Sequence, residues 1–173
     1  MNQIIIGLTG SMGSGKGEIV KILQRKGFEY VTLSSIVREE ARRRGVEEER
    51  EKLMDVGNSM RKKDGAGVLA KCALAKIEES DCDRWVVDGI RNPSEIDELR
   101  KSKNIRIIGV DTDKNLLVER ILSRSRESDP KIRDEILKKI ERELGKGEPK
   151  DGQQVAKCMK RADKIIENNN TLE

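Results

Sequence analysis

No histidine occurs anywhere in the 173 residues. That absence removes every Ser-His and Cys-His nucleophile system. Aromatics are nearly as scarce, with one Trp, one Tyr and one Phe. Three rings cannot stack a series of bases, and the core has to be built from Ile, Leu, Val and Ala. Cys72, Cys82 and Cys158 are an odd number with no C-x-x-C pairing. They argue against a zinc site or a disulfide framework and predict small, buried or half-buried residues. No stretch nears the ~20 apolar residues of a membrane span. Met1 leads directly into an apolar strand-like run, so no leader peptide is expected. Net charge is only +4, which does not demand a nucleic-acid partner. What is abundant is charge, at 39% of residues, as long solvated helices would carry. The expectation is a reduced, cytoplasmic, soluble protein without nucleic-acid or membrane partners. Its chemistry must use Lys, Arg, carboxylates and backbone amides. That inventory suits phosphoryl transfer, where positioning and charge stabilisation dominate.

Apolar runs alternate with helical spacings. Ile4-Ile5-Ile6-Gly7-Leu8 reads as a buried parallel strand running into a Gly-rich loop. Glu18 to Lys26 has Ile19, Ile22 and Leu23 on one helical face, and Gly27 closes it. Phe28 to Leu33 reads as a second strand, with Ser34 and Ser35 as N-cap candidates for a basic helix over Ile36 to Arg44. A charged helix over Glu47 to Lys63 and a more apolar one over Ala66 to Glu79 follow. Arg84 to Gly89 is the third strand, Pro93 and Ser94 open a helix through Lys101, and Ile105 to Val110 is the fourth strand. Helices are expected over Asn115 to Arg124, Ile132 to Leu144 and Gln153 to Lys160, with a fifth strand over Lys164 to Glu167. Thr171 to Glu173 look like the first turn of one more helix. The alternation argues for an α/β fold with a five-stranded parallel sheet and helices on both faces. Residues 34–65 and 124–151 are longer and more charged than simple crossovers. They are the expected mobile inserts on a core of 1–33, 66–123 and 152–173.

Gly10-Ser11-Met12-Gly13-Ser14-Gly15-Lys16-Gly17 fits G-x-x-x-x-G-K, with Gly in the usual Ser/Thr slot. Three glycines let the loop curl so that its amides and the following helix N-terminus cradle the phosphates of ATP. Lys16 adds a point charge on the transferring phosphates. The missing hydroxyl at Gly17 removes the usual Mg²⁺ contact. Glu18, next in line, is either a first-turn acid stabilised by the helix dipole or a water-mediated contact to Mg²⁺. Asp88 ends the third strand. It either holds a Mg²⁺-bound water, as a Walker-B acid does, or caps its turn. Arg91 follows into the same crevice.

On these motifs the chain resembles the P-loop nucleoside monophosphate kinase superfamily over nearly its whole length. The resemblance implies the P-loop NTPase three-layer fold, with an NMP-binding insert at 34–65 and a short lid at 124–151. The loop form G-x-x-G-x-G-K-G is similar to that of adenylate kinases. Thr32-Leu33-Ser34-Ser35-Ile36-Val37-Arg38 takes the place of their S-T-G-D-x-x-R, so Arg38 would grip the acceptor phosphate. Arg91 matches the Arg of D-G-F-P-R and would grip it too. Val118-Glu119-Arg120 to Arg124 is similar to the V-E-R-x-x-x-R leading into the lid. That makes Arg120, Arg124 and Arg126 candidates for stabilising the transferring group and stacking on adenine. Alternatively each is a surface arginine paired with Glu119, Glu127 or Asp129. Asp88-Gly-Ile-Arg-Asn-Pro-Ser-Glu95 resembles the D-x-R-x-P-x-E of deoxynucleoside monophosphate kinases. The tail from Gly152 is similar to P-loop domains associated with deoxycytidylate deaminases, which implies a fused or associated deaminase-type domain as a partner. It is also similar to dephospho-CoA kinases. Asn169, Asn170 and Thr171 either line the adenine pocket or form a plain capped turn.

The implied activity is ATP-dependent phosphoryl transfer to a nucleoside or deoxynucleoside monophosphate, with Mg²⁺. Lys16, Asp88, Arg120 and Arg124 are its catalytic candidates. Arg38, Arg91 and Arg61 are the acceptor-binding candidates, Arg61 from its place in Gly57-Asn58-Ser59-Met60-Arg61. The D-A-D segment of dephospho-CoA kinases is replaced here by Leu33-Ser34-Ser35, which weakens that alternative. A nucleotide-sensing module without turnover is the other alternative. No role follows from the sequence for the loop Gly145 to Gly152.

Overall fold

A computed structural model describes residues 3–102, 104–124 and 129–170. Five strands form one sheet: β1 (Ile4–Thr9), β2 (Glu29–Thr32), β3 (Arg84–Ile90), β4 (Ile105–Asp111) and β5 (Lys164–Glu167). Their order is β2-β3-β1-β4-β5 and all four pairings are parallel. The helices among the described residues are α1 (Lys16–Arg25), α2 (Leu33–Arg43), α3 (Arg50–Asp64), α4 (Val68–Glu78), α5 (Pro93–Leu99), α6 (Lys114–Arg124), α7 (Arg133–Leu144) and α8 (Val155–Lys160). The expected α/β architecture is therefore present.

Side chains alternate across the sheet and serve two cores. Ile5 of β1 joins Trp85, Val87 and Ile107 with residues of α2, α4 and α5 on one face. Leu8 joins Val86 and Val20 of α1 on the other. Each fully buried Leu or Ile contributes about 1.5–3 kcal/mol by transfer from water. A third cluster sits beside the P-loop, where Ile136 and Ile140 of α7 pack on Met12 and on Leu117, Val118 and Ile121 of α6. The segment 124–151, expected as a mobile insert, thus contributes a helix that is docked. Ile136 and Ile140, four residues apart, put one apolar face against α6.

Two local expectations are corrected. Ser34 and Ser35 lie inside α2; the N-cap is Thr32, whose Oγ1 accepts the amide of Ser34 at 3.3 Å. The helix starts three residues earlier than Ile36, at Leu33, because Leu33 is drawn fully into the core. The charged helix begins at Arg50 rather than Glu47, leaving residues 46–49 irregular. By contrast, Pro93 opens α5 as expected, with Asn92 and Glu95 forming a reciprocal capping box.

β1 and β3 are adjacent, but the chain leaves them for opposite sides of the sheet. The crevice at their carboxyl ends is therefore the switch point where α/β proteins bind ligands. Thr9 Oγ1 donates to the Ile90 carbonyl at 2.9 Å, tying the two strand ends together where their register shifts.

Candidate active site

The P-loop runs from the end of β1 to α1. Gly10, Gly13 and Gly15 all take positive φ, at 140°, 80° and 96°. At Gly10 a Cβ would stand 2.4 Å from the Val110 carbonyl, so glycine is required there for space as well as for conformation. Gly17 has open space around its Cα, so its lack of a hydroxyl is not forced by packing. The loop is buttressed from behind. Asn168 Nδ2 donates to the Ser14 carbonyl at 2.9 Å, and Thr112 Oγ1 donates to the same carbonyl at 3.2 Å. Lys16 Nζ bends back to donate to Gly10 O at 2.6 Å, Ser11 O at 2.9 Å and Ser14 Oγ at 3.3 Å. Burial holds its ammonium below the ordinary lysine range, against the pull of Asp88 and Glu143.

The P-loop forms one wall of a cavity of about 540 Å³. The residues Met12 to Glu18 line it, with Lys16, Asp88 and six arginines: Arg38, Arg50, Arg61, Arg91, Arg120 and Arg124. Asp88 sits at the end of β3. Its Oδ1 accepts the Gly89 amide at 2.6 Å and its Oδ2 accepts the Tyr30 hydroxyl at 3.4 Å. Burial and the Asp88 charge push the Tyr30 phenol up, so it is a neutral donor. Glu18 lines the cavity edge and pairs with Lys21 at 2.7 Å.

The predicted arginines converge, but each is already engaged. Arg38 Nη1 reaches Ser34 Oγ at 3.5 Å. Arg61 is fully buried and grips Glu95 through Nε at 2.9 Å and Nη2 at 2.8 Å. Glu95 Oε2 in turn accepts the Arg91 amide at 2.8 Å and the Asn92 amide at 3.0 Å, as part of the α5 capping box. Arg91 Nη1 donates to Glu143 at 2.6 Å and Gln153 at 3.0 Å. Arg124 pairs with Asp129 at 2.6 Å, one of the partners expected for a surface arginine, while its other face lines the cavity. Arg120 Nη2 donates to the Asn170 carbonyl at 3.1 Å, and its Nη1 is buried with no partner among the described residues. Asn169 Oδ1 accepts the Asp113 amide at 2.8 Å, placing the turn after β5 against the start of α6. Arg126 and Thr171 lie outside the described residues.

One cavity residue and the buried acid behind it have no signature in the sequence. Arg50 opens α3 and donates to Glu143, which closes α7, 93 residues away. Glu143 also accepts the Met12 amide at 2.9 Å. Burial alone would raise its carboxyl, but Arg91, Arg50 and the Met12 amide bring it down to about 2. The loop Gly145 to Gly152 also finds a role. Glu148 accepts Arg142 Nε at 2.6 Å and also accepts Asn58 of α3, while Asn92 Nδ2 holds the Lys150 and Gly152 carbonyls. The loop clamps α7, α3 and the Arg91 turn into one unit.

Residues 9–138 match the family model described as AAA domain. The chain is 36% identical over 169 residues to a UPF0200 protein of Sulfurisphaera tokodaii, spanning 98% of this chain and 89% of that one. A UPF0200 protein of Methanothermobacter thermautotrophicus is 33% identical over 151 residues, 85% of this chain and 75% of its own. Among solved structures, TT1252 from Thermus thermophilus superposes with a TM-score of 0.64 at 20% identity, over 99% and 91% of the two chains. Shikimate kinase from Bacteroides thetaiotaomicron superposes with a TM-score of 0.60 at 18% identity, over 95% and 86%. The fold is that of the P-loop kinases.

Proposed function

The chain belongs to the UPF0200 family, with an AAA domain across residues 9–138, and from that premise we propose that it is an ATP-dependent phosphotransferase acting on a nucleoside or deoxynucleoside monophosphate. One observation carries the reading: a single cavity joins the phosphate cradle to six arginines. So dense a cationic lining suits two polyanionic substrates that must be held together in a site from which water is excluded.

The residues fit the triphosphate of ATP. The left-handed glycines open the loop amides, Lys16 stands at their centre, and Arg120 Nη1 and Arg50 Nε are buried donors without partners among the described residues. Asn169 and Asn170, beside Arg120, would border the base. Mg²⁺ would be held by phosphates and water with Asp88 behind them, and would neutralise charge on the phosphates when bound. Glu18 can join only by leaving Lys21.

On the acceptor side, Arg38 and Arg91 would grip the monophosphate, with Arg61 held beside them by Glu95. The wall between α2 and α3 adds Val37, Leu53, Met54 and Gly57. The cavity's carboxylates among the described lining residues are Glu18 and Asp88, both on the donor side. An acceptor that is already an oxyanion needs no general base, so this wall suits a phosphate better than an alcohol. Its oxygen attacks the γ-phosphorus, the bond to the ADP oxygen breaks, and Lys16, Arg120 and Arg124 hold the charge that moves.

An ADP-release assay against each ribo- and deoxynucleoside monophosphate, dephospho-CoA and a no-acceptor control tests this. Turnover with one monophosphate class is expected. Turnover only with dephospho-CoA would replace the acceptor. Tight ATP binding with no acceptor-dependent turnover would replace the kinase with a nucleotide sensor.

A further inference from the structure

Glu143 belongs to none of the motifs above. It is wholly enclosed at the end of α7, yet three donors from three separate parts of the chain meet on it. Oε1 accepts Arg50 Nη2 and Arg91 Nη1, and Oε2 accepts the Met12 amide of the P-loop. Such a carboxylate can plug a phosphate site, balance charge from a distance or hold its partners in place. It lies behind the cavity wall, whereas Arg50 and Arg91 lie on it, so it does not plug the site. Each arginine commits one terminal nitrogen to Glu143 while lining the cavity. Arg50 Nη1 also stands 3.9 Å from Asp129, and among the described residues Arg50 Nε is buried without a partner.

We propose that Glu143 is a positioning residue that sets Arg50 and Arg91 at a fixed distance from the P-loop, so that docking of α7 assembles the phosphate-gripping face. This rests on the reading that the P-loop takes a polyphosphate. The docking itself is driven by Ile136 and Ile140 against α6, and Glu143 couples it to the site. A carboxylate with two oxygens can join two arginines and an amide in one plane; the amide of glutamine cannot, because one of its two heads is a donor.

Charge and geometry predict opposite signs, which makes the test sharp. Coulomb's law alone says that removing a negative charge tightens anion binding. Lost positioning weakens it. Tripolyphosphate is titrated calorimetrically into the full chain as wild type, Glu143→Gln and Glu143→Asp, with Ile140→Val as a control that loosens α7 without touching the carboxylate. Both Glu143 variants are expected to bind about tenfold more weakly. The control should melt earlier yet weaken binding far less than either Glu143 variant, since α7 stays docked in the folded protein; a loss as large as theirs would overturn the special role of the carboxylate. Tighter or unchanged binding by Glu143→Gln overturns the proposal. If that variant does not fold, Glu143→Asp decides: it keeps the charge but withdraws it by one methylene, and unchanged binding leaves only a counter-ion. A wild type that ignores tripolyphosphate would instead overturn the nucleotide-binding reading itself.

Discussion

The two halves of the cavity are built by different means. The half proposed for the donor is one continuous loop, Gly10 to Glu18, of which Met12 to Glu18 line the cavity; it would bind mainly through backbone amides, and its shape is set by positive-φ glycines. The arginine half, proposed for the acceptor and the transferring group, is assembled from side chains of α2, α3, the β3–α5 turn and α6, with α7 behind them. Four of its six arginines are held by buried carboxylates: Glu95 for Arg61, Glu143 for Arg50 and Arg91, Asp129 for Arg124. A backbone cradle is local and survives most changes elsewhere. A side-chain constellation depends on every element that contributes to it. The donor half should therefore fail in chemistry before stability, and the arginine half in both together.

The largest effect is expected at the donor side. Lys16→Ala should lower acceptor-dependent transfer by about a thousandfold or more, because a point charge on the transferring phosphates is lost. Its urea-unfolding midpoint should stay near that of the wild type, since the ammonium is desolvated and, among the described residues, hydrogen-bonded to its own loop alone. A large loss of stability would blur the contrast between the halves.

Next is Glu95→Ala, on the acceptor side. It strands the fully buried Arg61 guanidinium and frees the Arg91 and Asn92 amides. A cost of about 3–5 kcal/mol in unfolding free energy is expected, with transfer impaired in whatever protein folds. Urea denaturation that matches the wild type would show that the two halves are not held differently.

Acid should separate the halves by a smaller amount. The Glu143 carboxyl sits at about 2 in the folded chain against an ordinary 4.5. A folded value below the unfolded one contributes stability that is complete above the unfolded value. That contribution is lost as pH falls from about 4.5 toward about 2. Unfolding measured between pH 7 and 3 should decline more steeply for the wild type than for Glu143→Gln. Equal slopes would remove Glu143 from the account of acid sensitivity.

The smallest effect belongs to Glu18, whose exposed pair with Lys21 is of the i, i+3 kind. Glu18→Ala should change stability by no more than about 0.5 kcal/mol. Its transfer rate at low and high Mg²⁺ then separates the two readings of this acid. A rate that falls only at low Mg²⁺ assigns it to the metal, and an unchanged rate leaves it as a first-turn acid.

Much of the fold was legible because its signals are local. The apolar run before Gly10, the run at Val86 and Val87, and the helix closed at Gly27 each carry their own period and stop. The P-loop was legible for the same reason, since G-x-x-x-x-G-K is contiguous and its glycines act on the backbone. Arg38, Arg91, Arg120 and Arg124 were singled out by family spacing and Arg61 by its place in Gly57 to Arg61, and all five line one cavity. What holds each of them did not. Arg50 and Glu143 gave no local sign, because their pairing spans 93 residues and depends on how α7 docks. The capping of α2 was misplaced for a related reason: Leu33 is buried by the core, and burial outweighs the preference of a serine for the cap.

The amino-acid sequence by itself determined the order of strands and helices, the phosphate loop and the inventory of cations that chemistry here can use, since each depends on neighbours a few residues apart. Only the tertiary structure decided that 124–151 carries a docked helix, that Arg61 is bound to Glu95, and that Glu143 meets the P-loop. The physical reason is that a buried charge takes the partner that packing brings to it, and packing joins residues that no sequence spacing relates.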